Sequence, residues 1–322
     1  MITLQWVYVL AGLTFMAFAG LSAVDRENPK RFKNAAFWGL LAFSFLFGGY
    51  LSDLANGGLL VALVLVAGVG GLGQGRPVTT SPEERQASAA RFGNRLFIPA
   101  LIIPATALLG TLVLAKVEIG GTPLFDAKDP TLIALGLGVI LALIVGMAMF
   151  RPPTVAPLQE GRRLMDAVGW AAILPQMLAA LGAVFALAGV GQVVGGLVAD
   201  VIPMNGPLIA VVAYCLGMAL FTIIMGNAFA AFPVMTAAIG LPFVVMQFDG
   251  NPAIVCAIGM LSGFCGTLLT PMAANFNVVP ANLLELPDRN AAFNGVIRAQ
   301  APTAIAMLGV NILLMYVLAF RF

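Results

Sequence analysis

The sequence contains no histidine in its 322 residues. That excludes imidazole metal sites, histidine-ligated haem and histidine-dependent catalytic triads. Cysteine is almost as scarce. Cys215, Cys256 and Cys265 stand inside apolar runs without zinc-like spacing, and read as small hydrophobic residues. Charge is the third shortage: only 9% of residues are Asp, Glu, Lys or Arg. A soluble domain carries about a quarter, so this chain cannot wet a globular surface. No acidic pair for a diphosphate and no Ser–Lys or Ser–His arrangement stands out, so catalytic residues are not expected and neither is an enzyme. The net charge of +2 gives no reason to expect nucleic acid.

What is present is apolar. Hydrophobic residues make up 61% of the chain, and the mean hydropathy is +1.00. The runs reach the roughly 20 residues that a bilayer-crossing helix needs. The expected fold class is an all-α polytopic membrane protein in a lipid bilayer. It has about eight crossing helices plus a re-entrant hairpin and one broken helix. Plain spans are expected over residues 4–24, 35–51, 57–72, 96–116, 131–150, 168–190 and 302–320. No basic residue precedes the first run, so it reads as a retained span rather than a cleaved signal.

Basic residues orient the chain. With the N-terminus and C-terminus outside, the inner loops receive Arg26, Lys30, Arg31, Lys33, Arg76, Arg85, Arg91, Arg95, Arg151, Arg162, Arg163, Arg289 and Arg298. Lys116, Lys128 and Arg321 alone stay outside. Two inner stretches, 81–95 and 157–166, read as interfacial helices; the first opens with Ser81 and Pro82 ahead of Glu83 and Glu84.

Between residues 191 and 286, glycine, proline and asparagine interrupt the apolar pattern. Irregular backbone persists in a membrane where protein buries it or where it lines a polar cavity. The first interruption, Gly226-Asn227 followed by Ala228, predicts a re-entrant hairpin over about 206–240, with Asn227 capping a return helix too short to cross. The N–H groups at that helix start suit an anion, and the carbonyls ending the incoming helix suit a cation. The second interruption is Gly266-Thr267-Leu268-Leu269-Thr270-Pro271, with Asn275 and Asn277 beyond it. It predicts a broken helix over about 252–286 that restarts at Thr270-Pro271. Gln176, beside Pro175, is a further polar candidate inside a span. Gly191, Gly195, Gly196, Gly259 and Gly263 read instead as helix-packing residues. No carboxylate lies deep in the interrupted segment. The coupling ion is therefore either sodium, held near Asn227 and Thr267 by carbonyls and hydroxyls, or a proton carried by another chain. No other cofactor is expected.

The stretches LPQMLAALGAVFALAGVG, MGNAFAAFPVMTAAIG and GMLSGFCGTLLTPMAANFNVVPANLLEL resemble one repeat of the ion-transporter superfold. That group includes the dicarboxylate–sodium symporters, whose Ser-Asn-Thr hairpin tip and broken helix bind sodium and a carboxylate. Gly226-Asn227-Ala228 takes the tip position here and matches in the asparagine alone. Over nearly the whole chain, including LQWVYVLAGL, NPKRF, FWGLLAFSFLFG and RFGNRLFIPALIIP, the sequence is similar to a bacterial membrane family. That family is identified as one subunit of a two-component 5-oxoproline transporter. The resemblance implies an inner-membrane subunit that handles a small organic anion beside a second multi-span subunit. One hairpin and one broken helix also amount to a single repeat, where such transporters use two. Residues 1–80 are then scaffold spans and 81–322 the transport repeat. A non-transporting scaffold, or a carrier of another small carboxylate, is the alternative.

Overall fold

In a computed structural model that describes residues 1–75, 80–284 and 289–321, the apolar runs wind into helices. The one sheet among the described residues is a hairpin of β1 (Glu118–Ile119) and β2 (Thr122–Pro123). Eight helices among those residues are long and apolar enough to cross a membrane. The chain is a multi-pass, all-helical membrane protein. It forms two compact units, Met1–Gly169 and Trp170–Phe322. The step drawn from sequence at 80/81 separates proposed roles rather than compact bodies.

The first unit starts with α1 (Leu4–Val24) and α2 (Arg31–Phe47), which run antiparallel. Gly12 lets Leu46 approach, and Phe15 stacks on Trp38 at 5.7 Å. α3 (Asp53–Gly68) opens on Ser52, whose hydroxyl accepts from the Ala55 amide. α4 (Pro82–Phe92) begins as its residues predict: Ser81 and Glu84 exchange side-chain and backbone bonds in a capping box. α5 (Phe97–Leu112) and α6 (Pro130–Phe150) pack through small residues, with Gly110 against Ala134 and Gly138 against the Ile103 backbone. Ile2 bonds both Leu124 and Asp126, tying the N-terminal residues to the loop after α5. The amphipathic α7 (Ala156–Val168) lays one face on α1, where Gly161 meets Phe18.

In the second unit, α8 (Leu174–Leu187) and α9 (Val190–Val201) meet at Gly189, whose φ of 71° is left-handed. The sixth span thus closes at Leu187, near the expected end at residue 190, and α9 follows as a separate helix after the turn. α10 (Pro207–Met225) runs to Gly226, and α11 (Ala228–Met235) returns antiparallel to it. The return does not stop near Gly240. It continues as a π-helix over Thr236–Gln247, so the limb Ala228–Gln247 has 20 residues, one more than α10. The expectation of a short return helix is corrected on this point. Pro233 and Pro242 lack the N–H that regular α winding would use, and the wider winding carries the chain past Pro242.

α12 (Pro252–Leu269) lies parallel to α10, with Gly259 on Tyr214, Gly263 on Met218 and Gly266 on the Ala219 carbonyl. After a turn, a π segment (Ala274–Val278) leads into α13 (Val279–Leu283). α14 (Arg289–Leu318) runs back along α12, bonding at Asn251–Ala319 and Asn311–Cys265. The core between these helices holds Tyr214, Met218, Ile239, Val255 and Met315. The Tyr214 hydroxyl is satisfied there by Thr236 at 2.8 Å. Arg76 and Glu285, with the last part of the expected broken helix, lie outside the described residues.

The packing role expected of glycines holds at four positions. Gly191, Gly195, Gly259 and Gly263 each leave no room for a methyl group, whereas Gly196 faces open space.

Candidate functional site

Both interruptions sit at the same end of α10 and α12, because these helices are parallel and nearly equal in length. α10 ends when Gly226 takes φ 77° and its amide bonds the Thr222 carbonyl at 2.7 Å. An added Cβ at Gly226 would stand 2.7 Å from Met272 Cβ and 3.0 Å from the Met272 carbonyl. The left-handed turn and the close approach each require glycine. Asn227 then caps α11 as the sequence predicts, its Oδ1 accepting from the Phe229 amide at 2.7 Å.

The second interruption differs in detail from its expectation. Gly266 and Thr267 belong to the uninterrupted α12, and the break starts at Thr270. Gly266 packs against backbone; the pair looks like a break in sequence because glycine and threonine serve both purposes. Helical winding resumes at Ala274 rather than at Pro271, so Thr270 does not cap a helix starting there. Thr270 instead ties the two interruptions together. Its hydroxyl donates to the Ile223 carbonyl at 2.8 Å and accepts from the Met272 amide at 3.3 Å.

Asn277 completes the turn. Its fully buried Nδ2 donates to the Thr267 carbonyl at 3.0 Å and the Thr270 carbonyl at 2.7 Å, satisfying carbonyls at the end of α12. The Oδ1 of the same side chain has no partner among the described residues. Thr222 Oγ1 is likewise buried and unpaired. Asn277 was named from sequence only as a neighbour of Asn275. The signal was an asparagine within reach of carbonyls freed by a helix end.

A cavity of about 200 Å³ opens where the interruptions meet. Met225, Gly226 and Asn227 form one side, Met272, Ala273 and Phe276 another, and Trp170, Leu174 and Leu178 a third. The volume is below the roughly 300–1,000 Å³ of pockets for drug-sized ligands, so it suits a small molecule. None of these lining side chains is titratable. The polar side chains of the lining are the Asn227 amide and the Trp170 indole, and Asn227 stands at the N-terminal end of α11, the positive end of that helix's dipole.

The remaining sequence candidates fall around this cavity or away from it. Ala228 is buried and its Cβ fills the space beside Gly263. The Thr267 hydroxyl is engaged by the Phe264 carbonyl at 2.6 Å. Pro271 is exposed, and so is Gln176, which is not part of the cavity wall formed by Leu174 and Leu178. The backbone of Asn275 is in the π segment, and its side chain lies outside the described part of the structure. Sequence reasoning missed Trp170, Met225, Met272 and Phe276, which give no polar signal and acquire meaning only through the contact between distant turns.

A family model described as Protein of unknown function (DUF979) matches residues 5–320, and the chain belongs to that family. No curated protein and no solved structure matches the chain.

Proposed function

We propose that this DUF979 chain is one membrane subunit of a secondary transporter for a small organic anion. The observation that carries the reading is the meeting of a capped helix start at Asn227 with the Thr270–Ala273 turn around a small cavity. Interrupted helices that converge on one site are the usual construction of transporter binding sites. A helix N-terminus offers an anion N–H donors and a favourable dipole without any buried arginine. Among such anions 5-oxoproline is our choice, on the resemblance to the two-component family. It is a compact ring with one carboxylate and a lactam, matching a small cavity that has apolar walls and few polar groups.

The chain supplies one hairpin and one interrupted helix, so a second multi-span subunit supplies the inverted counterpart. Residues assigned to one side by charge also come together in the first unit. Asp25 pairs with Arg162, and the N-terminal Ile2 bonds the loop at Leu124. These groupings support the sidedness assigned to the first unit, and with the basic loops facing the cytoplasm of a bacterial inner membrane both termini lie outside. The coupling ion is sodium or a proton, and replacing external sodium with choline at constant pH discriminates the two.

Cells expressing both subunits should accumulate labelled 5-oxoproline, and Asn227→Ala should abolish that uptake at equal membrane abundance. Unchanged uptake would remove Asn227 from the site. Uptake by this chain alone at full rate would remove the need for a second subunit. A scaffold role is indicated if substitutions at Asn227 and Thr270 change stability while leaving substrate affinity intact.

A further inference from the structure

The first unit contains a second polar constellation, independent of the cavity and of the transport reading. It lies where the end of α1, the start of α2, residues 70–75 and α7 meet. Asp166 is its centre, 5% exposed, in a chain with few buried charges. Its Oδ1 accepts from Asn34 Nδ2 at 3.1 Å and from Trp38 Nε1 at 2.9 Å. Both donors are neutral. Its Oδ2 is buried and has no partner among the described residues.

Arg162, one helical turn before Asp166, does not neutralise it directly. The guanidinium pairs with Asp25 at 2.9 Å and donates to the Leu21 carbonyl at 3.0 Å, while its Nε is buried and unpaired. Among the described residues, the charged groups facing the cluster are thus Asp25, just after α1, and Arg162 and Asp166 from α7, while Lys33 of α2 reaches the Gly70 end of the segment. Lys30, ahead of α2, sends its ammonium to the Gly70 carbonyl at the exposed edge. Glu160 and Arg163 pair with each other in a partly exposed position. Among the described residues, two carboxylates therefore share one buried guanidinium, and this buried set carries one excess negative charge.

A buried, unpaired carboxylate is costly, and the usual resolution is to neutralise it. A metal ion is the poorer solution here. Among the described residues no group of three or more Cys, Asp or Glu side chains is placed to hold one, and the buried Arg162 guanidinium in the same set opposes a cation. A proton needs only one carboxylate oxygen. We propose that Asp166 is a proton-binding site, taking up one proton from solvent at Oδ2 and releasing it again. Uptake forms one O–H bond and brings the charge of the Asp25–Arg162–Asp166 set from −1 to zero.

The structure also gives this proton something to act on. Asn34 bonds Asp166 and, with the same Nδ2, the Gly73 carbonyl at 2.6 Å; its Oδ1 accepts from the Gly73 amide at 2.8 Å. Gly75 lies so close to Asp25 that a Cβ would stand 2.4 Å from Oδ2. The segment at residues 70–75 is therefore held by Asn34, whose Nδ2 is shared with the carboxylate that the proton neutralises, and the proton sets how firmly it is held.

Trp38 reports the site, because its indole donates to Asp166. In the full-length protein with Trp6→Phe and Trp170→Phe, Trp38 is the single tryptophan. Its emission should show one single-proton step between about pH 4 and pH 9, a range wide enough for a perturbed carboxylate. Asp166→Asn keeps an oxygen acceptor for both donors and should abolish the step. Asp25→Asn frees Arg162 to pair with Asp166, which favours the anion, and should move the step to lower pH. A flat emission profile, a step that survives Asp166→Asn, or a response to sodium in place of protons each overturns the proposal. If Asp166→Asn does not fold, infrared spectroscopy of the wild-type protein decides. A carboxylic acid carbonyl band that disappears as pH rises supports the site, and its absence throughout the same range overturns it.

Discussion

Replacing Gly226 with alanine tests the contact between the two interruptions, and the structure fixes the sign of the effect. Two costs combine. The residue sits at φ 77° and ψ 0°, where an L-residue is disfavoured by about 1–2 kcal/mol. The new methyl carbon would also stand 2.7 Å from Met272 Cβ and 3.0 Å from the Met272 carbonyl. Backbone cannot rotate away, so an overpacking cost of about 1–3 kcal/mol follows. Together these give a destabilisation of roughly 2–5 kcal/mol, or about 4–20 °C in melting temperature for a unit of this size. Gly196→Ala is the internal control. Gly196 lies in α9 with nothing within 4 Å of an added Cβ, and the same substitution should stabilise by about 0.5–1 kcal/mol. Intrinsic tryptophan fluorescence during thermal unfolding of the purified protein in detergent measures both. The reasoning fails if Gly226→Ala melts at or above the wild-type temperature, or if the two alanines shift it equally.

Other substitutions probe separate links. Thr270→Val keeps the shape but removes the hydroxyl that bonds Ile223, and should cost about 1–3 kcal/mol in the same melting assay. Asn277→Asp loses both Nδ2 bonds and points a carboxylate at two carbonyls; it should destabilise at least as much, with a melt like wild type counting against the assigned bonds. Ser81→Ala removes one half of the α4 capping box, about 1 kcal/mol of local helix stability. Because α4 is largely exposed, hydrogen exchange should quicken in its first turn while the global melting temperature holds.

The fold class was legible in composition, because low charge and long apolar runs leave few alternatives. The hairpin tip was legible too: glycine followed by asparagine after an apolar run is a helix stop joined to a helix cap, and both roles are filled. The length of the return limb was not. Gly240 and Pro242 look like terminators, yet π winding carries the chain beyond them. Gly266 was misread because a glycine that opens a turn and a glycine that admits a neighbouring backbone are the same letter. Only the Ala219 carbonyl pressed against it distinguishes them. The cavity walls and the Asp166 constellation were beyond sequence reasoning for a common reason. Each depends on residues far apart in the chain, such as Gly226 with Met272 and Asn34 with Asp166, and no local period marks such pairs.

The most direct test of the central claim, that the cavity between the interruptions holds the substrate, is ligand protection of Ala273→Cys. Ala273 lines the cavity and is 3% exposed. The variant is made with Cys215, Cys256 and Cys265 replaced by alanine, in membranes containing both subunits. Its reaction with a small thiol reagent should slow several-fold as 5-oxoproline is added, with saturation, while a cysteine at Gly196 reacts unchanged. Equal labelling of Ala273→Cys with and without 5-oxoproline, in membranes that still transport it, would contradict the account.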